Sequence, residues 1–264
     1  SSITPVIVDA ETTEIILNTT VQYDSSKTTS ALSEVESEVV SAITSYDTSN
    51  LGEFEKLFRH SQVTRLVDDA NVSVLSNTTN VILGKFFTPT TTASASYYIY
   101  FNNALYNPHS GHNSADGGIL SSTGFFISGD TTNEHFFDDN GEGIVRLYYL
   151  QSGARVYVDT TAGTINYATG EVFIESIFIT TISDVDGATS TNIRLIVSPE
   201  SNDVIAVRNQ VLEIDTANLI VFVTLDISVS FALIVFLELY AKFTFNLSFV
   251  YSGSTISGVT DATV

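Results

Sequence analysis

The spacing of apolar and polar positions divides the chain into two regimes. In residues 14–23, Leu17, Val21 and Tyr23 fall on one face, the period-two mark of a strand. Leu32, Val35, Val39, Ile43 and Tyr46 then recur at spacings of three and four. That pattern predicts an amphipathic helix of about four turns, broken at residues 47–50. The polar run 27–30 supplies candidate caps for it. Asn50 followed by Glu53 reads as a capping pair ahead of a further helical face of Phe54, Leu57 and Phe58. Ser61 stands as the cap of a short helix carrying Val63, Leu66, Val67 and Ala70. Residues 72–75 and 81–87 predict two strands. A small sheet with helices on one face buries both apolar stripes.

Residues 88–96 form a Thr/Ser/Ala linker containing Pro89, the best domain boundary in the chain. From Tyr97 onward no helical periodicity occurs. Strands are expected around Tyr98 and Tyr100, then at 124–127, 145–150, 154–158, 170–179, 193–197 and 211–214. A polar loop at 107–118, a turn at 138–143 and glycines 153, 163, 170 and 187 punctuate them. Residues 219–237 are apolar enough to raise a transmembrane question. Their order answers it: Thr224, Asp226, Ser228 and Ser230 alternate with Leu225, Ile227, Val229 and Phe231. Alternation marks a half-buried strand, and a membrane helix would place Asp226 in hydrocarbon. The same alternation returns at 242–249. The expected fold class is α+β: an α/β unit over 1–92, a mostly antiparallel β domain over 93–218, and a β ribbon with a Gly/Ser/Thr-rich tail over 219–264.

Composition sharpens this picture. Charged residues make up 15% of the 264, below the ~25% usual for globular chains. Ser and Thr fill the gap beside Val, Ile, Tyr and Phe, a mixture suited to strands. A net charge of −20 from only 10 basic residues argues against nucleic acid and against an anionic membrane surface. It fits a neutral or basic protein partner. With no cysteine, neither disulfides nor thiolate metal sites arise. No methionine is present, even at position 1, so the chain is expected to be part of something longer.

Little in the sequence carries catalytic chemistry. His109, His112 and Asp116, with His135 and Asp138, would need to converge to hold a metal, and their spacing follows no metal-binding pattern. Asp138, Asn140, Glu142 and Gly143 imitate half a calcium loop, but Tyr149 stands where the bidentate Glu belongs. A tight turn explains the same residues, as it does Asp184, Asp186 and Gly187. No nucleophile elbow, phosphate loop or dinucleotide fingerprint occurs. The reading is no catalytic residue, no metal and no cofactor: not an enzyme.

Several segments, taken in order, resemble a known family. "TPVIVDAETTEIILNTTVQYDSSKTT" is similar to the entry strand of T-even-type phage baseplate wedge proteins of the baseplate J-like family. "LSEVESEVVSAITSYDTSNLGEFEKLFRHSQVTRLVDDANVSV" resembles their following helix, Phe-Arg-x-Ser step and short helix. "YYIYFNNALYNPH", "FFDDNGEGIVRLYYL", "GTINYATGEV" and "VSPESNDVIAVRNQVLEI" resemble later strands and turns. The resemblance spans residues 3–215 and points to a C-terminal part. It implies a virion structural protein of a contractile tail, built in the host cytoplasm. It also implies dimerisation within or between wedges, contact with other wedge proteins, and no catalytic residues. An interface is expected on the aromatic ribbon at Phe231, Phe236, Phe243, Phe245 and Phe249. A β-rich surface adhesin, fibre or S-layer-like module is the alternative reading.

Overall fold

The computed structural model describes residues 11–207 and 209–226. Its elements are β1 (Glu11–Tyr23), α1 (Leu32–Asn50), β2 (Leu57–Phe58), α2 (His60–Asp68), β3 (Val74–Phe87) and β4 (Ala95–Tyr100). There follow β5 (Ser121–Ser122), β6 (Phe125–Ile127), β7 (Asp130–Asp139), β8 (Ile144–Gln151), β9 (Ala154–Asn166) and β10 (Glu171–Ile177). The last are β11 (Ile179–Ile182), β12 (Ile193–Val197), β13 (Val204–Ile205), β14 (Gln210–Ile214) and β15 (Ile220–Leu225). The fold is β-rich, and the described residues contain two helices.

β1 buries every second residue, from Thr13 through Ile15, Leu17, Thr19 and Val21 to Tyr23. It pairs antiparallel with β3, Leu17 opposite Val81 and Thr19 opposite Thr79. The two threonine hydroxyls satisfy each other inside the core at 3.2 Å. The other edge of β1 is shared. β14 runs parallel to its first half and β15 parallel to its second, Glu11 facing Gln210 and Asn18 facing Ile220.

α1 buries Val35, Val39, Ile43 and Tyr46, as its spacing predicts, and packs on β14, β15 and α2. Its ends depart from expectation. The helix begins after Ala31, whose N–H donates to the Glu34 carboxylate at 2.9 Å. In the predicted cap run, the Thr28 hydroxyl accepts the Ser30 N–H instead. The helix also continues to Asn50, because the Thr48 hydroxyl and Asn50 amide bond back to helix carbonyls.

The expected helical face of Phe54, Leu57 and Phe58 is not helical. Gly52 and Glu55 turn the chain at positive φ (81° and 61°). Phe54 then bridges Val211, and Leu57–Phe58 pairs with β13. These partners lie some 150 positions along the chain, beyond the reach of a local pattern. α2 follows, packed on β3. It is not capped by Ser61: the His60 N–H donates to the Asp203 carboxylate at 2.8 Å. The two strands expected at 72–75 and 81–87 are the single strand β3. Its polar middle is held by Asn77, which donates to the Thr64 carbonyl and the Asp68 carboxylate at the end of α2.

Beyond β3 the same hydrogen-bonded sheet continues in the order β12-β5-β7-β8-β9-β10-β4. Phe87 at the end of β3 meets Tyr97 of β4 at 4.9 Å between ring centroids. The last strand of the path therefore lies against the end of the third. Phe101, Phe125, Phe137 and Ile179 fill the interior of this part without exposure.

Candidate interaction surface

The residues that imitate a calcium loop form a closed polar centre. Asp138 is almost fully buried. It accepts from Arg146 at 2.8 Å and from the Tyr157 hydroxyl at 2.9 Å, with Arg155 at 3.5 Å. Burial pushes its carboxyl up from the usual range, and Arg146 and Tyr157 oppose that shift. Asp139 has no exposure and accepts four donors: the N–H groups of Ile119, Leu120 and Gly141, and the Tyr167 hydroxyl at 2.5 Å. Burial, then this bond, raises the Tyr167 pKa strongly. Gly118 sits at φ +65°, where a Cβ would collide with the Asp139 carboxylate. Asn140 accepts the N–H groups of Glu142 and Ile144. Donors from the protein thus occupy the Asp138, Asp139 and Asn140 oxygens, and the Asp139 bonds clamp residues 119–120, just after the polar loop, to the β7–β8 hairpin.

The histidines are used separately. His109 and His112 touch each other edge to face at 5.0 Å. His60 bonds the Thr79 carbonyl. His135 is fully buried, 3.7 Å from Asp130, with neither ring nitrogen hydrogen-bonded. Among the described residues no three His, Asp or Glu side chains gather in a way that could hold a metal.

Two outward features stand apart from the core. The first is the face of β15, where Ile220 and Phe222 point out while Val221 and Val223 point inward. Phe222 is 61% exposed. Among the described residues β15 pairs on one side only, with β1. Burial alternates along β15 from Ile220 to Thr224, but Leu225, expected on the buried side, is exposed. Phe231, Phe236, Phe243, Phe245 and Phe249 lie outside the described residues.

The second is a cleft of about 490 Å³ between β4 and the ends of β1 and β3. Phe86, Phe87, Tyr98 and Tyr100 form its aromatic walls, and Glu11, Glu14 and Lys85 its charged ones. Tyr98 lies 4.6 Å from Phe173, and the rings of Tyr98 and Tyr100 are nearly parallel at 6.3 Å. Lys85 is tied to Glu11 at 2.7 Å. Glu14 faces Gly84 across the β1–β3 pair and lies over it, so a Cβ there would sit 3.1 Å from its carboxylate. Arg194 is the nearest cation to Glu14, at 3.8 Å, but it bonds Asp215 and Asp186 instead. One Glu14 oxygen is left buried without a hydrogen bond. Burial, then the charge of Asp215, raises the Glu14 pKa to about 7; Arg194 opposes this.

Sequence reasoning missed this cleft. Tyr98 and Tyr100 on the same side of a strand were readable from the alternation, but the meeting of β4 with β1 was not.

Residues 13–85 match a known family model. It is described as baseplate structural protein gp6, C-terminal domain III. The match runs from β1 through both helices into β3, the stretch whose sheet β14 and β15 complete. It supports a structural component of a phage tail baseplate, located in the virion and associated with other baseplate proteins. A structural family of this kind suggests a non-enzymatic role. No curated protein matches the chain.

Proposed function

We propose that the chain is the C-terminal part of a wedge subunit of a contractile-tail baseplate, of the T-even type and the baseplate J-like family. In this reading it helps form the ring around the central hub, pairing with itself within or between wedges and with other wedge proteins. It is assembled in the host cytoplasm. The observation that carries the reading is the gp6 domain match over 13–85. β15, which among the described residues pairs only with β1 and turns Ile220 and Phe222 outward, adds a surface suited to a protein neighbour. Strand edges invite pairing unless they are covered.

The aromatic positions Phe231, Phe236, Phe243, Phe245 and Phe249 are proposed as an interface as well, because apolar and polar residues alternate over 224–231 and again over 242–249. The test replaces Phe243 and Phe245 together with Ser and follows mass by light scattering across concentration. A dimer or larger ring-forming species that dissociates in the variant, with its circular dichroism unchanged, is the expected result. A monomeric parent chain that binds glycans would move the assignment to a surface-adhesin module.

A further inference from the structure

We infer that the cleft between β4 and the β1–β3 ends is a docking site for a cationic side chain, an arginine or lysine presented by a neighbouring protein. The inference uses the baseplate reading only to say that the neighbour is a protein; the chemistry of the cleft stands without it.

The argument begins with a charge imbalance. Glu14, Asp186 and Asp215 all lie around one guanidinium, that of Arg194. Arg194 hydrogen-bonds the two aspartates, and Asn218 donates to both as well. Glu213 adds a further negative charge to the field at Glu14. Lys85, the cation that lines the cleft, is committed to Glu11. Glu14 lines the cleft with its side chain 22% exposed, and its buried Oε2, 3.8 Å from Arg194, accepts no hydrogen bond among the described residues, so a visitor would meet the carboxylate from its exposed side. Buried carboxylate oxygens in folded proteins are normally hydrogen-bonded.

The walls suit the same visitor. Phe86, Tyr98 and Tyr100 present aromatic rings, whose faces attract ammonium and guanidinium groups. Phe86 already does so within the chain: the Arg194 guanidinium lies 5.8 Å from its centroid. Tyr98 is 58% exposed, so its ring is open to a partner. A neutral apolar side chain would fill the aromatic walls but offer nothing to the partly exposed Glu14 carboxylate. An anion would meet Glu11, Glu14 and a chain of net charge −20. Only a cation satisfies both walls and charge.

The test titrates N-acetyl-arginine methylamide, and separately its uncharged citrulline counterpart, into the full chain at pH 7. Amide shifts are read by NMR and heat by calorimetry in two buffers of different ionisation enthalpy. Saturable shifts at Glu14, Gly84, Tyr98 and Tyr100 are expected, with citrulline weaker by about tenfold or more. Binding should release protons, since a cation beside Glu14 draws off the proton it holds near neutrality. Glu14→Gln should lose both the proton release and about tenfold in affinity. Tyr98→Ala should lose affinity while keeping the proton release.

Equal responses to the charged and neutral probes, or shifts confined to other surfaces, would overturn the inference. So would binding seen only after removal of residues 1–10, which would assign the cleft to the chain's own leading segment. Failure of this titration leaves the baseplate assignment standing, whereas loss of that assignment is read in the Phe243 and Phe245 experiment.

Discussion

Asp139 shows how much a single side chain can hold in this protein. Its carboxylate is fully buried and takes donors from residues 119, 120, 141 and 167. Removing it strands buried N–H groups, each costing about 1–3 kcal/mol. Asp139→Ala should therefore lower unfolding stability by at least about 3 kcal/mol, while Tyr167→Phe, which removes one donor, should cost about 1 kcal/mol. Urea denaturation measures both, and a near-neutral Asp139→Ala would refute the clamp. Two other residues give the stability opposite pH slopes. Folded Glu14 titrates at about 7 against an ordinary value of 4.5, so the folded state holds the extra proton between them. Its contribution is full below 4.5 and is lost as pH rises through 7. His135 is depressed from 6.5 by burial, with Asp130 opposing. Its contribution is present above 6.5 and is lost as pH falls below it, because the unfolded chain takes the proton first. Glu14→Gln should flatten the fall in melting temperature between pH 5 and 8. His135→Phe should flatten the fall on the acid side of 6.5.

Among the elements, β15 separates the two roles a strand can play. Val221 and Val223 face inward, where α1 packs; Ile220 and Phe222 face out. Val223→Asp would bury an unpaired charge and should destabilise the chain by several kcal/mol, on the order of 3. Phe222→Ser touches no core and should change stability by less than about 0.5 kcal/mol while weakening association. Thermal melts together with light scattering distinguish the two; a large stability loss from Phe222→Ser would mean that its face is not free. The legibility of the elements follows from where their partners lie. β1 and α1 were readable because their own side chains carry the period. Residues 54–58 mislead because Phe54, Leu57 and Phe58 obey helical spacing, yet their backbone pairs with Val211, Val204 and Ile205. β3 reads as two strands in the sequence because its Ser-Asn-Thr-Thr-Asn centre looks like a turn. Its partners on β1, together with Asn77 binding to α2, make it a strand.

At the scale of the whole molecule, the link from β3 to β12 joins the matched stretch to the later strands in one sheet. No local pattern announces such a pairing, since it depends on two segments about a hundred residues apart. The cleft is hidden for a related reason: it needs the β1–β3 pairing to bring Glu11 and Glu14 beside the end of β3 and the start of β4. What the sequence does display openly is charge, and charge divides the two kinds of association expected of a baseplate component. Two copies of a chain carrying −20 repel each other, so self-association buried on apolar faces such as β15 should strengthen as salt screens the repulsion. Docking of a basic neighbour gains from the same field and should weaken with salt, mainly through a slower association rate. Light scattering of the chain alone and binding to a basic partner, both followed from about 20 to 300 mM salt, should therefore run in opposite directions. If both weaken together, the self-contact is made by charge pairs and not by the outward face of β15. If both strengthen, the partner surface is apolar and the cationic docking site is not what holds it.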